Sequence, residues 1–296
     1  MPTIIANKYT VLEIIGEGTF GKVFKGINIR SNEQIAIKIQ HKDIVNVLKH
    51  EAKIYKYLKD ISGVPLIRNY GTEHGFNYLI IDLLDISLSE KKPKPIETIK
   101  YMITAIKILD KIHSKGIIHR DIKPENFLLK KRKGNVEVYL IDFGLSKYYL
   151  DADKKHMVER KDRKLIGTAK FVSLNVHNGI EASRRDDLES LCYTFITIYG
   201  KELPWCKIIE DHKIVMDGSK DTNKKNLLEL YEKIQKEKER TLEWLYDIPG
   251  EFLTMLLYCR TLKFDETPNY KYISGLFRNL LTNANPADIY NVNCMD

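Results

Sequence analysis

The chain has 296 residues, of which 43% are hydrophobic and 30% are charged, and its formal net charge is +8. This composition is typical of a globular protein with a large core, and no apolar run approaches the ~20 residues of a membrane-spanning helix. The basic balance is compatible with nucleic acid, an anionic membrane surface or acidic protein substrates as partners. The four cysteines lie far apart, which predicts reduced, unpaired thiols and a cytoplasmic or nuclear location. Neither end of the chain has the pattern of a signal peptide or a lipid anchor, so we expect neither.

The first eighty residues alternate short β-branched and aromatic runs with turn signals, which predicts strands. These runs cover 9–15, 22–27, 34–40 and 77–82, and one helical stretch from about 46 to 59 interrupts them. From Ile96 onward, apolar residues recur at three- and four-residue spacing, which indicates helices. A β-rich front and a helix-rich back predict an α+β chain with two lobes of unequal size, connected near 84–95.

A glycine-rich segment, 16–23 (GEGTFGKV), falls between two predicted strands. Glycines there let the backbone approach an anion closely and offer amide donors to it. The segment by itself is as typical of a simple hairpin, and a dinucleotide-binding fold would need a helix after the last glycine. A strand follows instead, which argues against the dinucleotide alternative.

Lys38 lies inside the apolar strand 35–39, and Glu51 falls on the apolar face of the predicted helix. A solvated edge lysine is the simplest alternative for Lys38. A carboxylate on the packing side of a helix is costly unless it is paired. We therefore predict an ion pair between Lys38 and Glu51, with the ammonium also reaching the α- and β-phosphates of a nucleotide.

Two further motifs follow in chain order. Residues 119–126 read HRDIKPEN, and Asp-Phe-Gly stands at 142–144, directly after the apolar run 136–141 that predicts a buried strand. With the glycine loop, the strand lysine and the helix glutamate before them, these motifs resemble the protein kinase superfamily.

The resemblance implies a role for each matching residue. Asp121 would accept or orient the proton of the substrate hydroxyl, and Lys123 would neutralise charge on the transferring phosphoryl group. Asn126 and Asp142 would hold Mg²⁺, with ATP as the phosphoryl donor. A lysine two residues after the catalytic aspartate resembles serine/threonine kinases rather than tyrosine kinases. None of these residues is lost, which favours an enzyme over a pseudokinase scaffold that binds partners through its basic face.

A finer resemblance, over about residues 8–281, is to the casein kinase 1 family. It is carried by these segments: 50–56 (HEAKIYK), 167–175 (GTAKFVSLN), 183–191 (SRRDDLESL), 203–205 (LPW) and 265–270 (DETPNY). The segment 167–175 argues against a small-molecule kinase, which would keep the phosphate machinery but not this peptide-recognition stretch.

The family resemblance implies a bilobal kinase fold, with a nucleotide-binding lobe at 1–84, a catalytic lobe at 85–283 and a short tail at 284–296. Thr168 would hydrogen-bond near Asp121 and Lys123, and Asp187 would brace the catalytic loop, residues 119–126. The implied nucleotide pocket consists of Ile15, Gly16, Gly18, Gly21, Val23, Ala36, Lys38, Ile81, Asp82, Leu84 and Leu128.

The resemblance also implies an anion site for substrates, formed by Arg120, Lys147, Arg163 and Lys170. We expect protein substrates that are acidic or already phosphorylated, no nucleic acid, no membrane and a monomeric enzyme; a solvated positive surface is the alternative. Lys170 stands where the family usually has arginine. A lysine binds phosphate as a point charge, which predicts a weaker or altered preference for phosphorylated substrates.

The segment between Leu150 and Gly167 contains no serine or threonine. The usual switch, a phosphorylated hydroxyl paired with arginine, therefore has no Ser/Thr acceptor there, and we predict a kinase that is active without phosphorylation of this segment. Tyr148 and Tyr149 remain as acceptors that would contradict this prediction.

Two segments depart from the family pattern, and a third has two alternative interpretations. Residues 89–97 are shorter than the family's corresponding region, and 208–225 resembles an insertion. The basic run 130–135 (KKRKGN) is typical of a nuclear-localisation patch, but its Gly-Asn between two strands favours a solvated hairpin tip.

Overall fold

A computed structural model describes residues 4–18, 21–43, 45–215, 220–240 and 242–283. Thr19 and Phe20 of the glycine loop, part of the predicted insertion (216–219) and the predicted tail (284–296) with Cys294 lie outside the described residues. Of the other cysteines, Cys192, Cys206 and Cys259 are buried free thiols. Over the described ranges, the helices lack the combination of length and apolarity needed to cross a bilayer.

The strands and helices follow one another along the chain in this order: β1 (Ile4–Ile5), β2 (Tyr9–Gly18), β3 (Gly21–Asn28), β4 (Gln34–His41), α1 (Val47–Tyr57), β5 (Ile67–Glu73), β6 (Phe76–Asp82), β7 (Ile86–Ser87), α2 (Leu88–Lys91), α3 (Pro95–Ser114), β8 (Ile117–Ile118), β9 (Phe127–Arg132), β10 (Asn135–Leu140), β11 (Lys147–Tyr148), α4 (Leu174–His177), α5 (Arg184–Ile198), α6 (Cys206–Val215), α7 (Lys220–Glu239), α8 (Gly250–Thr261) and α9 (Tyr270–Asn283). Short 3₁₀ helices occur at Pro124–Asn126, Phe143–Leu145 and Glu243–Leu245.

The chain divides into two compact units. The first contains the residues up to Ile86 together with Phe127–Ser146, and the second contains Ser87–Asn126 together with the chain from Lys147 onward. The lobe limits expected from the sequence, 1–84 and 85–283, stay a prediction.

The first unit is built on an antiparallel sheet with the strand order β1-β2-β3-β4-β6-β5. One face of this sheet forms the core of the unit, because alternate residues of each strand point to the same side. The buried core residues on or beside that face are Ile5, Tyr9, Phe24, Ile35, Ile37, Ile39, Tyr78 and Ile80. The predicted strands and the helix after residue 46 are present, whereas β5 has no counterpart in the sequence prediction. Its sequence, IRNYGTE, includes glycine and asparagine, which have low strand propensity.

The basic run at 130–135 forms the turn of the β9–β10 hairpin. Lys133 and Gly134 occupy the turn with φ values of 47° and 84°, and two consecutive positive φ angles are the geometry of a type I′ turn. The predicted hairpin tip is therefore confirmed. A role as a nuclear-localisation signal stays a hypothesis.

The second unit is mainly helical, with α3 packed on α9 and α5 packed on α8. Helix α3 begins at Pro95, whose fixed φ suits the first helical position, so the predicted connection 84–95 ends there. In α5 every residue except Thr197 is buried, including five charged residues at its N-terminal end. Buried charges need partners, so α5 can only be stable where other segments supply them.

Candidate active site

One face of the sheet in the first unit carries four of the predicted nucleotide-binding residues. Val23 pairs with Lys38, and Ala36 pairs with Ile81, across neighbouring antiparallel strands. Residues opposite each other share a face, and so do alternate residues of one strand, so all four side chains lie on the face away from the core. Ala36 is buried and small, which leaves this face room for a flat ligand.

The glycine-rich segment forms the hairpin between β2 and β3. Gly16 pairs with Val23, and Gly18 pairs with Gly21. Gly21 has a φ of 136°, and a Cβ there would collide with the carbonyl oxygen of Ile39, so only glycine fits against β4. A Cβ at Gly18 would meet no atom within 4 Å. The backbone at Gly18 is thus open to an approaching anion, and the two residues between Gly18 and Gly21 lie outside the described residues.

The remaining predicted pocket residues lie elsewhere in the first unit. Ile15 is half exposed on β2. The chain at 83–85 runs along β9, because Lys130 Nζ donates to the Leu83 carbonyl at 2.8 Å and Asp85 N–H donates to the Leu129 carbonyl at 2.8 Å.

This arrangement puts the buried Leu84 next to the strand that carries Leu128. The Asp82 carboxylate accepts a hydrogen bond from Arg68 Nε at 2.6 Å. Its side chain is therefore engaged by Arg68, and its backbone N–H donates to the Leu66 carbonyl at 3.1 Å, so neither group is left to meet a base.

Lys38 sits between two carboxylates. Its ammonium donates to Glu51 Oε2 at 2.9 Å and to Asp142 Oδ1 at 2.8 Å. Glu51 is 2% exposed, and burial raises the pKa of its carboxyl to about 7 although the Lys38 ammonium opposes that shift. Burial lowers the pKa of Lys38, but the two carboxylates outweigh it and raise the pKa above its ordinary value. The predicted Lys38–Glu51 pair is confirmed, and the two carboxylates favour the charged form of Lys38 on the sheet face predicted to bind the ligand, here called the ligand face.

Asp142 adopts a left-handed backbone conformation with a φ of 65°, which is uncommon for a residue other than glycine. The Tyr55 hydroxyl of α1 accepts a hydrogen bond from Asp142 N–H at 3.1 Å, and the Tyr55 ring meets the Phe143 ring edge-on at 5.1 Å. Such strained conformations persist only where the surroundings hold them, and they concentrate at functional sites.

Asp121, Lys123 and Thr168 form one hydrogen-bonded cluster in the second unit. Thr168 Oγ1 donates to Asp121 Oδ1 at 2.8 Å, and Lys123 Nζ lies 2.8 Å from Asp121 Oδ2 and 3.2 Å from Thr168 Oγ1. The Asn126 amide nitrogen donates to the Asp121 carbonyl at 2.8 Å. Every catalytic residue predicted for this half of the chain is therefore in one place.

The close approach of Thr168 to the catalytic loop depends on the glycine before it. Gly167 has a φ of 104°, and a Cβ there would crowd the carbonyl oxygen of Arg120 and the side chain of Val172. A side chain at 167 would therefore push Thr168 away from Asp121.

Asp187 of α5 braces the catalytic loop from inside the unit, as predicted. Its carboxylate accepts the backbone N–H groups of His119 at 2.7 Å and Arg120 at 2.8 Å, and it lies 2.9 Å from His113 Nε2. Burial raises the pKa of Asp187, but the hydrogen bonds from the two histidines outweigh it and hold the pKa below its ordinary value. Arg120, at a φ of 68°, is thereby held in a conformation that costs free energy.

Three of the four predicted anion-site residues lie around one carboxylate. Arg120, Lys147 and Arg163 all fall within ion-pair distance of Glu181. Lys170 lies apart from this group. Its ammonium stands 5.4 Å from the centre of the Phe171 ring, and it lines a shallow cleft of about 240 Å³.

The sequence analysis missed two charged residues of this region, Glu181 and Lys238. Lys238 is 1% exposed on α7, and its ammonium donates to the carbonyl oxygens of Ala169 at 3.1 Å and Val172 at 2.6 Å. In the sequence it stands in the charged run KEKER, which is typical of a solvated helix end. Burial lowers the pKa of Lys238 to about 7.

The two predicted magnesium ligands belong to different units, Asp142 to the first and Asn126 to the second. A comparison of the chain with family models matches the protein kinase domain over residues 9–270. That range contains every residue predicted from the sequence to bind nucleotide, metal or substrate.

Proposed function

The chain belongs to the protein kinase family, and from this premise we propose that it is a serine/threonine kinase of the casein kinase 1 type. It transfers the γ-phosphate of ATP to acidic or already phosphorylated proteins and is active without prior phosphorylation. Family membership gives the general activity, phosphoryl transfer to proteins, and protein kinases generally use ATP and Mg²⁺. It also confirms the expected α+β fold with a β-rich N-terminal lobe and a helical C-terminal lobe.

The observation that carries the proposal is the cluster of Asp121, Lys123 and Thr168. The Asp121 carboxylate is oriented by Thr168 on one oxygen and neutralised by Lys123 on the other. A carboxylate held this way can accept the proton of a substrate hydroxyl, while the ammonium beside it offsets charge on the phosphoryl group. The lysine at 123 supports serine or threonine as the acceptor.

The ligand face of the first unit suits ATP. Lys38 supplies a cation among apolar residues, and its Glu51 partner keeps the ammonium on the sheet face. The glycine-rich strand ends at Gly18 and Gly21 offer backbone amides to phosphates, and the small Ala36 leaves space for a planar base. These residues bind and orient the nucleotide.

The two candidate magnesium ligands have the right chemistry. Mg²⁺ prefers carboxylate and amide oxygens and usually keeps only one or two protein ligands beside phosphates and water. The Asp142 side chain keeps 33% of its surface exposed, and the amide nitrogen of Asn126 is committed to Asp121, which leaves its oxygen as the coordinating atom. When bound, the metal would neutralise charge on the β- and γ-phosphates.

Lys170 supports the preference for acidic or phosphorylated substrates. It lines the cleft together with Lys201, whereas the other predicted anion-site cations already contact Glu181. Glu202 and Glu210 line the same cleft, which supports a modest preference rather than a strong one.

The experiment that tests the proposal is Mg²⁺-ATP phosphorylation of casein and of matched peptides with serine, threonine or tyrosine as the acceptor. Each peptide is used with and without a phosphoserine upstream of the acceptor. Asp121→Asn is the inactive variant, and the exposed Asp153→Asn is the matched control. We expect the wild type and Asp153→Asn to phosphorylate serine and threonine peptides, and Asp121→Asn to phosphorylate none. A phosphoserine upstream of the acceptor should raise the rate of transfer.

Other outcomes would correct the proposal in separate ways. Transfer to tyrosine peptides only would contradict the serine/threonine assignment. Transfer without a gain from phosphoserine would remove the substrate preference and leave the kinase. ATP binding without any transfer would favour a pseudokinase scaffold.

A further inference from the structure

A buried carboxylate in the second unit lies among three cations from separate stretches of the chain. Glu181 is 4% exposed. Its Oε1 lies 3.0 Å from Lys147 Nζ and 3.7 Å from Arg120 Nη1, and its Oε2 lies 3.5 Å from Arg163 Nε. One side chain thus connects Arg120 of the catalytic loop with Lys147 of β11 and with Arg163 in the segment that follows β11.

Backbone hydrogen bonds reinforce the same connection. Glu181 N–H donates to the Arg160 carbonyl at 2.8 Å, and Arg163 N–H donates to the Gly179 carbonyl at 2.8 Å. Residues 160–163 therefore run alongside 179–181. The Arg163–Glu181 ion pair and the two backbone hydrogen bonds all hold residues 160–163 beside residues 179–181.

The cluster has the charge pattern of a phosphate site that is already filled. A phosphorylated residue orders a loop by pairing its negative charge with nearby arginines or lysines. Here no serine or threonine occurs between 151 and 166 to take a phosphate, and the cations contact a carboxylate instead. A buried carboxylate is itself costly unless it is paired, so the cations and Glu181 hold one another in place.

We infer that Glu181 is a positioning residue that permanently supplies the negative charge which other kinases add by phosphorylation. The inference rests on the proposed kinase activity. Glu181 touches no reacting atom; it acts through Arg120, the neighbour of Asp121, and through Arg163 in the 151–166 segment. With its carboxylate in place, the catalytic loop and this segment hold their arrangement without modification.

The basic residues around Glu181 then have a different role from the one expected for a substrate site. Arg120, Lys147 and Arg163 serve the internal carboxylate, and the anion of a phosphorylated substrate is assigned to Lys170 alone among the four predicted positions.

The test replaces Glu181 with the isosteric, neutral glutamine. Glu159→Gln is the matched control, because Glu159 lies in the same segment, is more exposed and pairs with Arg185 at 3.8 Å. Steady-state kinetics give kcat and the KM for ATP, and amide hydrogen exchange follows residues 157–166. We expect Glu181→Gln to lower kcat by roughly 10- to 100-fold, the equivalent of one charge-assisted hydrogen bond, since Oε2 has an ion-pair contact but no hydrogen-bond partner. The KM for ATP stays unchanged, exchange at 160–163 becomes faster, and the control behaves as the wild type.

A second variant separates charge from general packing. Glu181→Ala keeps the three cations and creates a space where the carboxylate was. Inorganic phosphate should bind there and restore part of kcat, whereas chloride at the same ionic strength should not. Glu181→Asp should keep more activity than Glu181→Gln. A folded Glu181→Ala that phosphate does not restore overturns the inference, as does a Glu181→Gln with wild-type kcat and exchange.

If the Glu181 variants do not fold, Arg163→Gln removes the half-exposed partner instead, and unchanged exchange at 160–163 then overturns the inference. If the wild type shows no phosphotransfer, the proposed function fails, while the exchange measurement still decides whether Glu181 holds the segment.

Discussion

The buried ammonium of Lys238 permits a sharp test of how α7 holds the segment around 169–172. We predict that Lys238→Met destabilises the protein and lowers kinase activity. Methionine has a similar volume but no donor, so the carbonyl oxygens of Ala169 and Val172 lose a hydrogen bond each. The ammonium also lies about 5 Å from the ring centres of Tyr193 and Trp205, a distance at which cation–π attraction operates.

The magnitude follows from opposing contributions. Leaving the buried Val172 carbonyl without a donor costs about 1–3 kcal/mol. The Ala169 carbonyl loses a bond worth about 1 kcal/mol but still has His177 Nε2 at 3.3 Å, and the lost ring contacts add about 1–2 kcal/mol. Removing a buried charge returns several kcal/mol of desolvation free energy. We expect a net loss of about 1–3 kcal/mol in the free energy of unfolding. Because Ala169 follows Thr168 directly, kcat should fall as well.

Urea denaturation of Lys238→Met and of Lys236→Met measures the difference. Lys236 is exposed two residues earlier on the same helix, so the control makes the same change in charge and helix propensity. A Lys238→Met variant within about 0.5 kcal/mol of the control would refute the reasoning, because surface substitutions usually stay in that range.

The same pair of variants tests the pKa of Lys238. Burial lowers that pKa to about 7, below the value of about 10.4 in an unfolded chain. Between these values the unfolded chain binds more protons than the folded one, so the wild type should gain stability over Lys238→Met as pH rises. From pH 7 to about pH 8.5 the gain is between about 1 and 2 kcal/mol, because the slope is half of 1.36 kcal/mol per pH unit at pH 7, where the folded lysine is half protonated, and approaches the full value above pH 8. A difference that stays constant over this range would contradict the lowered pKa.

Three further predictions concern the motifs. Lys38→Met leaves Glu51 buried without its cation and should cost about 3–5 kcal/mol of unfolding free energy, with the double variant Lys38→Met/Glu51→Gln less destabilised; the half-buried Lys25→Met is the control in the same urea assay. Asp187→Asn places an amide where three donors meet and should cost about 3 kcal/mol and lower kcat, so full activity of a folded variant would contradict the bracing role. Gly21→Ala should cost at least about 1 kcal/mol and raise the KM for ATP, which thermal unfolding and steady-state kinetics measure together.

Much of the fold and the motif residues could be predicted from the sequence. Strands with alternating or β-branched patterns and helices with three- and four-residue spacing carry their signal locally, because burial follows the period of the backbone. The Lys38–Glu51 pair could be predicted for the same reason, since helical spacing puts the glutamate on an apolar face where it needs a cation. The motif around Asp121 could be recognised because its residues are close together in the chain.

Tertiary structure decided what local spacing cannot express. Glu181 and Lys238 have no unusual neighbours in the sequence, and each is buried only because distant segments pack over it. The three partners of Glu181 come from residues 18 to 61 positions earlier, and the carbonyl oxygens that hold Lys238 lie 66 and 69 positions earlier. The role of each of these charges depends on the distant segments that pack around it, and the neighbouring sequence does not indicate which segments those are.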